Sequence, residues 1–118
     1  MSRRTDRMSD LLRAELSDLV LREVHDPRVK LASITSVDVT PDLRRATVRV
    51  SVLLGDDAQR LEAIEGLRHA RGFLRTELSR RLRTRATPEL VFELDRGAEH
   101  SQKISDLLES LHGRDESS

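Results

Sequence analysis

Between Thr5 and Val24, apolar residues fall at Met8, Leu11, Leu12, Leu16, Leu19, Val20 and Val24. This three-to-four-residue period predicts an amphipathic helix. Thr5 or Asp6 can accept from the free N–H groups of its first turn. Pro27 disfavours the helical region for Asp26, so the helix should stop near His25. The period then changes to two. In "SITSVDVT" (33–40), Thr35, Val37 and Val39 share one face, and Ser36, Asp38 and Thr40 take the other. In "RATVRVSVL" (45–53), Ala46, Val48, Val50 and Val52 alternate with Arg45, Thr47, Arg49 and Ser51. Two β-branched runs joined by a Pro41-Asp42-Leu43 turn predict an antiparallel hairpin with one covered face and one wet face.

The period returns to helical after Gly55. Asp56 or Asp57 caps a helix with Leu61, Ile64 and Leu67 inward, and Leu74, Leu78 and Leu82 mark a second one. A single straight helix would place Arg71 in the same stripe as Leu67, Leu74 and Leu78. Burying an unpaired guanidinium there would cost several kcal/mol. Gly72, itself costing about 1 kcal/mol inside a helix, predicts a bend that lifts Arg71 out. The expectation is a helix–kink–helix pivoting on Ala70-Arg71-Gly72. "PELVFELD" (88–95) reads as a third strand with Leu90, Phe92 and Leu94 on one face, and Ile104, Leu107, Leu108 and Leu111 mark a last short helix from about 99 to 111. The predicted order is α-β-β-α-α-β-α, an α+β domain with helices on one face of a three-stranded sheet. Residues 1–112 form that domain and 113–118 a disordered polar tail.

Composition narrows the function. The chain has 118 residues, the size of one domain, with 36% hydrophobic and 36% charged residues. Phe73 and Phe92 are its two aromatics, and both are expected in the core. With no cysteine, disulfides, thiolate catalysis and Cys-ligated zinc are excluded. No apolar run reaches the roughly 20 residues of a membrane helix, which favours a cytoplasmic protein. The formal net charge of zero conceals segregation: residues 68–88 carry seven arginines against Glu77 alone, while 89–118 carry eight acidic groups against three basic ones. A polyanion meets the local field rather than the total.

The candidate chemistry is correspondingly one-sided. His25, His69, His100 and His112 are scattered without metal-ligand spacing, and Gly55, Gly66, Gly72, Gly97 and Gly113 form neither a P-loop nor a dinucleotide fingerprint. No catalytic residue, metal or cofactor is expected. Arginines fork onto phosphate oxygens, and the candidate RNA contacts are Arg71, Arg75, Arg80, Arg81, Arg83 and Arg85, with Arg45 and Arg68 as outer members. With no aromatic stacking platform expected, binding should rest on backbone charge and shape.

The element order resembles a type II KH domain, but Ala70-Arg71-Gly72 stands where that fold carries Gly-x-x-Gly. With "DPR" (26–28), "VDVTPDLRRATVRVSVL" (37–53), "ARGFLRTELSRRLRTRATPELVFELD" (70–95) and "ISDLL" (104–108), the chain resembles the ribosome-binding factor A family. That resemblance implies a non-catalytic, monomeric assembly factor that binds immature 30S subunits and assists late 16S rRNA folding and end-processing, with a link to growth in the cold. It assigns the kink to Ala70 and Gly72 and the RNA-facing role to the basic helix. Ser101 and Arg49 depart from the family pattern. The alternative is a KH-like module for another structured RNA or a protein partner.

Overall fold

The computed structural model describes residues 3–52, 54–83 and 87–95. Helix α1 is Arg3–Arg22, a 3-10 turn covers Pro27–Val29, and strands β1 and β2 are Ser33–Val39 and Arg45–Ser51. Helices α2 and α3 are Asp57–His69 and Arg71–Leu82, and strand β3 is Glu89–Leu94. The helix expected near 99–111, the tail and Arg85 lie outside the described residues.

The sheet runs β1-β2-β3, with β1 antiparallel and β3 parallel to β2. Val37 faces Val48 and Val39 faces Ala46, while Ala46, Val48 and Val50 lie beside Leu90, Phe92 and Leu94. This alternation puts one valine-rich face under the helices, where Leu12, Leu16 and Leu19 of α1 meet Leu67, Leu74 and Leu78. The register slips between Ile34 and Ser36. Thr35 consequently has no partner in the ladder and donates its hydroxyl to the Arg49 carbonyl at 3.2 Å. The strict alternation expected for β1 therefore begins only at Ser36.

The turns follow their local chemistry. Asp26 caps the 3-10 turn by accepting from the Arg28 N–H at 2.9 Å and grips the Arg28 guanidinium with both carboxylate oxygens. Between β1 and β2, Asp42 accepts from the Thr40 hydroxyl at 2.6 Å and the Arg44 N–H at 3.1 Å. Helix α2 starts with a capping box, Asp56 and Gln59 each satisfying the other's backbone N–H.

Two packing expectations change. Leu61 is 61% exposed, because α2 turns Ala63, Ile64, Gly66 and Leu67 inward. Phe73 is 43% exposed, because α3 commits Leu74 and Leu78 to the core and Phe73 falls beside that stripe. The close backbone approach at Gly66 was not legible in the apolar pattern. A Cβ built on Gly66 would lie 2.8 Å from the buried Val29 Cγ1, so the glycine lets α2 sit directly on the 3-10 turn.

The boundary between α2 and α3 falls at Ala70, not at Gly72. Ala70, with φ −83° and ψ 0°, ends one helix and starts the next. Its N–H reaches the Gly66 carbonyl at 3.1 Å, and its own carbonyl accepts from Leu74 at 2.9 Å. Alanine adopts this right-handed conformation without needing glycine's freedom. Gly72 lies in the first turn of α3, where an added Cβ meets open space and the backbone is not left-handed. Glycine is not the pivot.

Candidate nucleic-acid interface

The arginines expected to form one surface divide into several groups. Arg81, on one flank of the buried Leu74/Leu78 stripe, is turned inward to α1, where its Nη1 lies 2.8 Å from both Glu15 and Asp18. The bond from Arg81 lowers the Asp18 carboxyl from its ordinary value, aided by the charge of Arg22. Arg81 thus serves as a tie between helices. Arg68 and Arg80 are exposed but form i,i+3 pairs with Glu65 and Glu77 at 3.3 and 2.9 Å. Exposed pairs of this kind contribute little and can open for a ligand.

The other flank of α3 differs. Arg75 donates to the Thr87 carbonyl at 3.1 Å, and Ser79 shares a hydrogen bond with the Thr87 hydroxyl. Both bonds hold this flank against the chain leading into β3. Two residues on, Glu89 pairs with Arg45 in the ladder and donates its N–H to the Arg44 carbonyl at 2.8 Å. Arg45, Arg44 and Arg75 therefore gather at one end of the sheet, and none has a carboxylate partner among the described residues. Arg44 joins them although sequence reasoning passed over it; its signal was an exposed cation next to a strand start.

Arg71 is half-buried at the helix break, and its Nε is enclosed without a hydrogen-bond partner among the described residues. Arg83 lies just past α3 in the left-handed region, φ 53° and ψ 39°, with no acid on its side chain among the described residues. Such a conformation costs a residue with a Cβ about 1–2 kcal/mol. Arg45, Arg71, Arg75 and Arg83 are therefore the sequence-selected arginines that have no carboxylate partner among the described residues, Arg85 itself lying outside them.

The open sheet face is different in sign. Arg49, which faces solvent there, is ion-paired with Asp38, and Glu93 and Asp95 add to the field that raises its pKa further. The cation is compensated where it stands. Among the described residues no three or more His, Cys, Asp or Glu side chains converge as a metal site, and no helix is long and apolar enough to cross a membrane.

A small α+β domain that gathers uncompensated arginines around α3 and one sheet end fits a charge-reading binder. The family description "Ribosome-binding factor A" matches residues 4–108. The chain is 44% identical over 113 residues to a ribosome-binding factor A from Caldanaerobacter subterraneus subsp. tengcongensis, covering 95% of this chain and 92% of that protein. The chain belongs to the ribosome-binding factor A family.

Among solved structures, it is similar to a candidate ribosome-binding factor A of Thermotoga maritima solved by NMR. The two are 32% identical with a TM-score of 0.69, covering 79% of this chain and 88% of the other. It is also similar to a Thermus thermophilus ribosome-binding factor A homology model fitted into the cryo-EM map of a 30S complex. That match has 28% identity and a TM-score of 0.55, covering 73% of this chain and 93% of the other.

Proposed function

We propose that this protein is a non-catalytic assembly factor that binds immature 30S subunits through 16S rRNA and assists late rRNA folding and end-processing in the cytoplasm. The Thermus relative, fitted into a 30S complex, is the observation that carries this reading. The arginine distribution supports it: cations without acids at α3 and the β2 start suit phosphate oxygens, which take guanidinium forks. The phosphate contacts are Arg45, Arg71, Arg75 and Arg83, with Arg44 added and Arg85 following; Arg68 and Arg80 join only by leaving their glutamates. Arg81 stays with α1. In this reading the fold is KH-like, the α2–Ala70–α3 corner occupies the place of the Gly-x-x-Gly loop, and the protein acts as a monomer without cofactor.

The test is co-sedimentation of purified protein with 30S subunits from normal cells and from cells lacking it, at low and high salt. Salt-sensitive binding, stronger on the immature particles, is expected. Binding that ignores salt would instead favour docking on a ribosomal protein, and no binding at either salt would remove the ribosome as partner.

A further inference from the structure

We propose that the apolar cleft between the C-terminal end of α1 and the start of β1 is the docking site of the chain's own segment 104–111, which lays Ile104, Leu107, Leu108 and Leu111 into it. The cleft encloses about 720 Å³ and is lined by Val20 and Leu21 of α1, by Val24 just past its end, and by Ala32 and Ile34 where the chain enters β1. Leu21 is 82% exposed and neighbouring Leu31 51%, so a contiguous apolar surface remains uncovered by any described element. Patches of this kind on a small domain mark something that binds there.

The path of the chain selects the occupant. Leu94, the last residue of β3, lies beside Val50, and Val50 faces Ile34. The Asp95 N–H continues this pairing to the Val50 carbonyl at 2.8 Å. The chain thus leaves the sheet at the end where the cleft opens, two strand spacings away, or about 10 Å. Residues 96–103 can span up to about 26 Å when extended, ample for that crossing. The segment they lead to carries apolar residues at i, i+3, i+4 and i+7, the spacing of one helical face. The family match runs through residue 108, so Ile104, Leu107 and Leu108 belong to the matched length.

Charge agrees with the assignment. The segment brings Asp106 and Glu109, and the cleft presents Lys30 and His25, while its one carboxylate, Asp26, is already gripped by Arg28. Docking here also places Asp106 and Glu109 away from the arginines, since Arg45 and Thr87 stand at the opposite end of the sheet. The inference does not rest on the RNA reading.

The chain has no cysteine, so an introduced pair reports proximity cleanly. Leu21→Cys with Leu108→Cys is oxidised in the full-length protein and compared with Leu61→Cys with Leu108→Cys, Leu61 being exposed on α2. The expected result is an intramolecular disulfide forming several-fold faster in the first pair at a rate independent of protein concentration. Equal rates, a slower first pair, or disulfide dimers that grow with concentration would overturn it, the last by assigning the cleft to a second copy. A single Leu108→Asp change leaves the described core untouched and should shift the methyl resonances of Val24 and Ile34; unchanged resonances would likewise refute the docking.

Discussion

Gly66 and Gly72 stand six residues apart and have opposite roles. At Gly66 a methyl group would meet Val29 Cγ1 at 2.8 Å and Arg28 Cβ at 3.3 Å, and Val29 is buried and branched at Cβ. Gly66→Ala should destabilise by about 1–3 kcal/mol through overpacking, read as a lower midpoint in urea with an unchanged slope. Gly72 has open space around it, so Gly72→Ala should stabilise α3 by up to about 1 kcal/mol. A stabilised Gly72→Ala protein that also loses 30S affinity would show that the backbone there must come close to RNA. Arg83 offers a third contrast. Its left-handed backbone suits glycine, so Arg83→Gly should raise the melting temperature while weakening 30S binding. Unchanged binding would take Arg83 out of the interface.

At the scale of elements, the connection from α1 to β1 is held by its backbone hydrogen bonds, by buried Val29 and by one short ion pair. The Arg28 side chain, then its backbone N–H, lowers the Asp26 carboxyl from 3.8 to about 2. A depressed carboxyl contributes its stability above the unfolded value and loses it as pH falls through the folded one. The Asp26 contribution should therefore be complete above about pH 4 and decline between 3.8 and about 2. Asp26→Asn should flatten acid unfolding in that window and loosen the seat on which α2 rests at Gly66; an acid profile identical to the parent would show that other carboxylates set it. At the next joint the α2–α3 break falls at Ala70, with Leu67 and Leu74 both buried in the core and Arg71 half-buried between them.

At the scale of the whole molecule, zero net charge says little about binding, because separation of charge decides the field. If Arg45 and Arg75 both meet phosphates, Arg45→Gln with Arg75→Gln should lower 30S affinity and reduce the slope of log affinity against log salt by about one to two. The same measurement on Arg81→Gln should leave the slope unchanged and lower stability, since that guanidinium ties α3 to Glu15 and Asp18. A slope that falls equally in both variants would mean that Arg81 leaves α1 when RNA binds.

The local pattern already determined the elements among the described residues. The period-2 valines of 37–52, the leucines of α1 and α3 and the punctuation at Pro27 and Pro41 each act over a few residues, and the helices and strands appear where those patterns place them. Arginine density near α3 was legible for the same reason. Tertiary structure decided which arginines remain available, because a guanidinium is committed only when a carboxylate arrives from elsewhere, as Glu15 and Asp18 do for Arg81 across more than sixty positions of chain. It also decided that the fold requires glycine at position 66 and not at position 72: steric need depends on what packs against the backbone, and Val29 comes from another element. Phe73 and Leu61 face outward because a helix buries a limited arc, and only the packed neighbours choose which arc that is.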